Sequence, residues 1–173
     1  NEYSDRIRAN NPSAKTVITG TDGIHPHENG GYLFGYLYAR AQETNPTVGA
    51  VEIDASNGSA KAENATVSSV NASASEVTYT YKPNSLPLAN VAKYKYVKNY
   101  GVDIENHMNR EIIKVSNLEK GTYTITMNGA EIGSYSAKEL AKGVNVAEIA
   151  NNPNQQVAVT LDAAVTKKYT NEK

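Results

Sequence analysis

Apolar positions along this chain change their spacing near residue 46. Before it, Leu33, Leu37 and Ala41 recur every four residues with Tyr32 and Tyr36 on the neighbouring stripe, which predicts a helix over 31–43. Asn29 supplies its cap and Asn45-Pro46 its stop. A short helix over 2–9, with Tyr3 and Ile7 on one face, and a strand over 15–19 are predicted ahead of it. From Val48 onward the period becomes two, in short Val-, Ile-, Thr- and Tyr-rich runs separated by Asn, Gly, Ser and Pro. Val77, Tyr79 and Tyr81 alternate with Thr78 and Thr80 in this way.

The best-marked local feature is a hairpin, Thr122–Met127 and Ala130–Tyr135, turning at Asn128-Gly129. A type I′ turn needs positive φ at both central residues, which Asn-Gly accommodates. Ser136 and Glu139 then form a capping box for a short helix that Gly143 ends. Asn152-Pro153 opens a final helix over 153–168, with Gln155 completing a box-like start and Val157, Leu161, Ala164 and Val165 as its apolar face. Such a face calls for a second layer to pack on. The expected class is α+β, in three parts: 1–45 with strand, loop and helix; 46–151, a β-rich module whose residues 48–135 make a small antiparallel sandwich; and 152–173, the C-terminal helix.

At 173 residues the chain suits one domain or two small ones. A net charge of -1 argues against a nucleic-acid or anionic-membrane partner, which would call for a basic patch. No apolar run is long enough to span a membrane as a helix. The absence of cysteine excludes disulfides, thiolate zinc sites and cysteine nucleophiles, and leaves the compartment open. Twelve tyrosines against one phenylalanine and no tryptophan fit half-buried strands, although exposed tyrosines also stack on sugars.

Candidate chemistry concentrates in Thr19-Gly-Thr-Asp22-Gly-Ile-His25-Pro26-His27-Glu28-Asn-Gly-Gly-Tyr32. Pro26 biases His25 toward extended backbone, so a carboxylate three residues earlier can lie beside the imidazole. With Asp22 accepting the proton on one ring nitrogen, the other is free to deprotonate a hydroxyl nucleophile. Two other readings stand beside this one. Asp22 can cap local amides in a plain turn with His25 on the surface. His25 and His27, with Asp22 or Glu28, can ligate zinc, although alternate residues of an extended strand point to opposite faces. His107 reads as a loop residue, and no cofactor motif is present.

The loop resembles the last block of the SGNH (GDSL-type) hydrolases, whose final motif is D-x-x-H-P; Asp22, His25 and Pro26 match it position by position. Downstream, Asn109–Leu118, Gly121–Tyr123 and Gly133–Asn145 look like the β-rich appendage of some bacterial members. The resemblance implies that residues 1–45 are the C-terminal edge of a flavodoxin-like α/β hydrolase domain. It implies a serine esterase in which His25 is the base and Asp22 its orienting acid. The substrate would be a small-molecule or carbohydrate ester. No Gly-Asp-Ser block and no oxyanion-hole blocks precede Asp22, and Ser4 and Ser13 follow no apolar strand. The chain is therefore expected to be the C-terminal part of such an enzyme, with the upstream part of the hydrolase domain as its partner and no cofactor or metal. The rival expectation is a noncatalytic binding or structural module carrying a vestigial loop.

Overall fold

The computed structural model describes residues 5, 9, 18, 19, 22, 24–26, 28–89 and 102–171. The chain divides into two compact units, residues 1–45 with 90–108, and residues 46–89 with 109–173.

In the first unit, helix α1 (Glu28–Ala41) begins a turn earlier than the apolar spacing predicts. Its early residue Gly30 lies against the backbone of Ile18, where a Cβ would collide with the Ile18 carbonyl oxygen. Leu33 and Tyr36 are buried together with Val102 and Ile104 from the second stretch of this unit. Ile104 opens a short helix α2 (Ile104–Met108), and the Asp103 carboxylate accepts a hydrogen bond from the Asn106 amide at 3.1 Å at its start. His107 therefore sits on a helix, not in the loop expected of it. Of the helix predicted over 2–9 only Asp5 and Ala9 are described, both of them helical, and of the strand predicted over 15–19 only Ile18 and Thr19, the latter in an antiparallel bridge to Pro26.

The second unit is built on a four-stranded sheet of β1 (Thr47–Asp54), β2 (Ala60–Glu63), β5 (Arg110–Ser116) and β8 (Val144–Asn145), in the order β2-β1-β5-β8. Strands β3 (Ala65–Ala72) and β4 (Val77–Pro83) form one antiparallel hairpin, and β6 (Thr122–Met127) and β7 (Ala130–Ser136) another. Asn128 and Gly129 turn the second hairpin with φ of 51° and 82°, as a type I′ turn requires. The expectation of an all-antiparallel sandwich over 48–135 needs correction, because β1 and β5 run parallel, Ala50 opposite Ile112 and Ile53 opposite Val115. Period-two alternation fixes which side of a strand is buried but carries nothing about the direction of a distant partner.

The core of this unit gathers Val51, Ile53, Ile113, Val115, Ile132, Leu140 and Val146. Tyr79, Tyr81, Tyr123 and Tyr135 pack half-buried against it from the two hairpins, which accounts structurally for part of the tyrosine excess. Gly49 on β1 makes room for one of them: a Cβ there would collide with the Tyr81 hydroxyl and come within 2.8 Å of the Pro83 Cβ. Gly49→Ala is accordingly expected to cost about 1–3 kcal/mol of folding stability by overpacking, read from urea unfolding midpoints.

Helix α3 (Ala137–Lys142) starts with the predicted capping box: the Glu139 amide donates to the Ser136 hydroxyl at 3.3 Å and the Ser136 amide to the Glu139 carboxylate at 2.8 Å. Helix α4 (Pro153–Asn171) is present, with the Asn152 side-chain oxygen accepting from the Asn154 amide at 2.9 Å. Gln155 plays no part in a capping box. It is buried, and its amide donates to the carbonyls of Leu88 and Ala89, 3.2 Å each. The expected packing of the apolar face is also corrected: Val157 and Leu161 are 54% and 55% exposed, and the buried residues of α4 are Gln155 and Ala158 in its first turns.

Candidate active site

Asp22 and His25 are in contact, with the Asp22 Oδ2 2.6 Å from the His25 Nδ1. The other carboxylate oxygen of Asp22 accepts from the amides of Ile24 at 3.0 Å and His25 at 3.1 Å. The aspartate thus closes a turn and holds the imidazole with the same side chain, combining the turn-capping and orienting readings. The antiparallel bridge between Thr19 and Pro26 closes the base of this loop. The imidazole hydrogen bond first, and the two backbone amides next, hold the Asp22 carboxyl below its usual range. An ionised carboxylate only accepts, so the bond to Nδ1 favours the tautomer with its proton there and leaves Nε2 as the acceptor. The His25 side chain is 82% exposed, so Nε2 is open to an incoming group.

His27 lies outside the described residues, as does the side chain of Glu28, so the zinc arrangement has no geometry to report. Among the described residues no group of three metal-ligating His, Cys, Asp or Glu side chains occurs. None of their helices is long and apolar enough to cross a membrane.

Two further polar clusters depend on partners that are distant in the sequence. In the first unit the Tyr36 hydroxyl lies 2.7 Å from the His107 Nδ1 and accepts from Arg40 at 3.2 Å, with the Tyr36 and His107 rings stacked. The i, i+4 spacing of Tyr36 and Arg40 was a visible signal, but the pairing with His107 spans the chain. In the second unit Glu111 is fully buried on β5. The side-chain amides of Asn152 and Asn154 each donate to one of its carboxylate oxygens at 2.6 Å, and the Asn145 side-chain oxygen accepts from the Glu111 backbone amide at 3.0 Å. The Tyr81 hydroxyl is beside this carboxylate but is buried without hydrogen-bond geometry to it. Burial pushes the Glu111 carboxyl up, against the two asparagine bonds that favour its charged form. Burial, and then the nearby Glu111 charge, push the Tyr79 phenol up to about 12. Both oxygens of Glu111 are engaged, so the cluster reads as a clamp joining β5 to the start of α4. Its signal was present: Glu111, Ile113 and Val115 share one face of a period-two strand.

No known family matches the chain as a whole or in part, and no curated protein matches it. A solved structure described as BT4096, a gut microbial diltiazem-metabolizing enzyme, is similar over 91% of this chain, with a TM-score of 0.79 and 29% sequence identity. The present chain spans 37% of the length of that protein. This mixed α+β chain is thus similar, in sequence and in fold, to part of a longer enzyme.

Proposed function

We propose that this chain is the C-terminal part of an SGNH-type serine ester hydrolase, to which it contributes the acid and base of the catalytic triad. The observation that carries the reading is the 2.6 Å contact between Asp22 and the His25 Nδ1, with Nε2 left open, in a D-x-x-H-P loop. The likeness to part of a longer metabolizing enzyme supports it, since such a protein has room for the remaining catalytic groups. On this reading residues 1–45 complete the edge of a flavodoxin-like α/β domain, and the β-rich residues that come after them are its appendage.

In the assembled enzyme a serine from the upstream region attacks the ester carbonyl. His25 takes the serine proton on Nε2 and returns it to the departing alkoxide, while Asp22 holds the ring and stabilises the imidazolium. The upstream region also supplies the oxyanion donors, and these carry much of the transition-state stabilisation. The 173-residue chain by itself is therefore expected to show no hydrolysis of p-nitrophenyl acetate above the buffer rate. Joined to the upstream region of its gene it is expected to hydrolyse this ester, and diltiazem is the second substrate to try. Serine-dependent turnover by the isolated chain, or an upstream region without a Gly-Asp-Ser block, would remove the assignment.

A further inference from the structure

Two adjoining cavities of about 480 and 290 Å³ run between the hairpins β3–β4 and β6–β7 of the second unit. The larger is lined by the consecutive residues 75–79 and 122–126, and the smaller carries on as far as Tyr81 and Asn128. Unbroken runs of this kind mean that the strands meet the space with their edges, since a strand face presents alternate residues only. Passing from one cavity to the other advances along both strands, so β4 and β6 run in the same direction. They start together, where the Tyr123 hydroxyl donates to the Ala74 carbonyl at 3.2 Å and the Glu119 amide to the same carbonyl at 2.8 Å. Their Cα atoms stand more than 8 Å apart along most of their length, and among the described residues no backbone hydrogen bond joins the two strands.

The unpaired backbone groups follow from the pairing on the other side of each strand. The Ser73 amide donates to the Glu76 carbonyl at 2.8 Å and the Asn84 amide to the Asn64 carbonyl at 2.9 Å, just beyond the two ends of the β3–β4 ladder. Successive residues of a strand direct N–H and C=O to opposite sides, so the even-numbered residues of β4 bond to β3, and Val77, Tyr79 and Tyr81 point theirs away from it. Pro83, which has no N–H to give, falls on the unbonded side. On β6 the two-residue turn makes Met127 and Ala130 a bonded pair, and the Ala137 amide donates to the Gly121 carbonyl at 3.0 Å. The odd-numbered residues therefore bond to β7, and Thr122, Thr124 and Thr126 turn their backbone groups to the cleft. The bulges of these ladders lie on β3 and β7 and leave the alternation of β4 and β6 intact. The Thr124 hydroxyl lies 3.0 Å from that of Ser134 and plays no part in the cleft.

Neighbouring strands lie about 4.7–4.9 Å apart, so one extended chain laid between β4 and β6 sets them about 9–10 Å apart. Because both run the same way, a chain between them is antiparallel to both when it runs the opposite way. Donors and acceptors that repeat at every second residue along two facing edges are matched by extended backbone. One alternate set of its side chains enters the cavities beside the half-buried Val77, Tyr79, Ile125 and Met127. The other set emerges on the outer face, among the exposed threonines of β4 and β6. Glu76 is the single charged residue among those lining either cavity, and it lies where both strands begin, which is where the C-terminal end of an antiparallel guest arrives. We propose that the cleft takes up one extended segment of another polypeptide by β-strand addition, alternately aliphatic and hydroxyl-bearing, with a basic residue toward its C-terminal end. The inference uses the second unit alone and is independent of the roles given to Asp22 and His25.

The test is amide hydrogen exchange of the 15N-labelled full chain, free and titrated with the peptide acetyl-Thr-Val-Thr-Val-Thr-Val-Lys-amide. In the free chain the amides of Val77, Tyr79, Thr122, Thr124 and Thr126 are expected to exchange faster than those of Thr78, Thr80, Tyr123, Ile125 and Met127, and saturating peptide to slow the first set about tenfold or more. A block peptide of the same composition, acetyl-Thr-Thr-Thr-Val-Val-Val-Lys-amide, should bind more weakly, as should one with its lysine moved to the N-terminal end. Thr124→Pro removes a cleft-side N–H that is not bonded to β7, and in a variant whose remaining shifts match those of the parent the affinity should fall about tenfold or more. N-methylation of the two inner valines of the peptide makes the same test without altering the chain. The proposal is overturned by the first set of amides being protected already in the dilute free chain, by no saturable protection with the alternating peptide, or by equal binding of the block or the N-methylated peptide. Protection that appears with protein concentration and no peptide would assign the cleft to a second copy of this chain and overturn it as well.

Discussion

His25→Ala, placed in the full-length hydrolase that the proposed function implies, is expected to lower kcat by about 10³-fold or more with a smaller change in KM. On that proposal the imidazole touches the reacting proton and not the bulk of the substrate, so its loss would fall on the transition state more than on binding. The loop should survive the change, because its turn is closed by Asp22 on the amides of Ile24 and His25 and by the Thr19–Pro26 bridge. Asp22→Asn is the informative companion. Its remaining oxygen can still cap both amides, while its NH₂ group faces Nδ1 and drives the proton to Nε2, the nitrogen that must accept. A loss of kcat in the Asn variant with an unchanged fold would therefore report the tautomer, and wild-type kcat in His25→Ala would show that the base lies elsewhere.

Glu111→Ala is expected to be the most destabilising single substitution among the described residues of the second unit, at about 3–5 kcal/mol. It opens a cavity and removes the acceptors of the Asn152 and Asn154 side-chain amides at once, in a site where Glu111 and Asn152 have no exposure. Glu111→Gln should cost less, since one oxygen remains to accept. The pair also separates by pH. Burial raises the folded-state pKa of Glu111 above its ordinary 4.5. A raised pKa means that the folded state binds the proton more tightly, so this group's contribution is fully present below 4.5 and is lost as pH rises through the folded value. Urea midpoints measured from neutral pH down toward 4.5 should therefore move in favour of the wild type relative to Glu111→Gln, which does not titrate. Asp22, Glu52, Asp54 and Glu139 have the opposite sign, their carboxyls being held down by hydrogen bonds, from His25, Lys114, Asn117 and Ser136 first, and they are common to both proteins.

What the sequence makes legible here is local. The Asn128-Gly129 turn, the Ser136–Glu139 capping box and the Asp22–His25 contact each depend on residues within three or four positions, and in each the side-chain chemistry leaves few alternatives. The helices α1 and α4 are readable from apolar spacing, yet the same spacing misleads about burial in α4, because Val157 and Leu161 meet solvent in this chain. The illegible parts are those in which the partner is distant. Tyr36 meets His107 across 71 positions, and Glu111 meets Asn152 and Asn154 across 41 and 43. A carboxylate inside a strand pattern is read by default as solvated; the asparagines that make its burial tolerable are ordinary cap residues until the fold brings them to it.

The parallel pairing of β1 with β5 bears on how this molecule acquires its structure. Lys114 on β5 reaches Glu52 on β1 at 2.6 Å, a separation of 62 positions, and the intervening chain includes the stretch 90–108 that belongs to the first unit. Closing so long a loop carries an entropic cost before any central contact rewards it, whereas β3–β4 and β6–β7 need only their own turns. The two hairpins should gain protection against hydrogen exchange early in refolding, on the microsecond scale of hairpin closure, and the β1–β5 amides much later. During synthesis β1 must wait, unpaired on its β5 side, until β5 (Arg110–Ser116) has emerged from the ribosome, so nascent chains arrested before that point should be held by chaperones that longer ones escape.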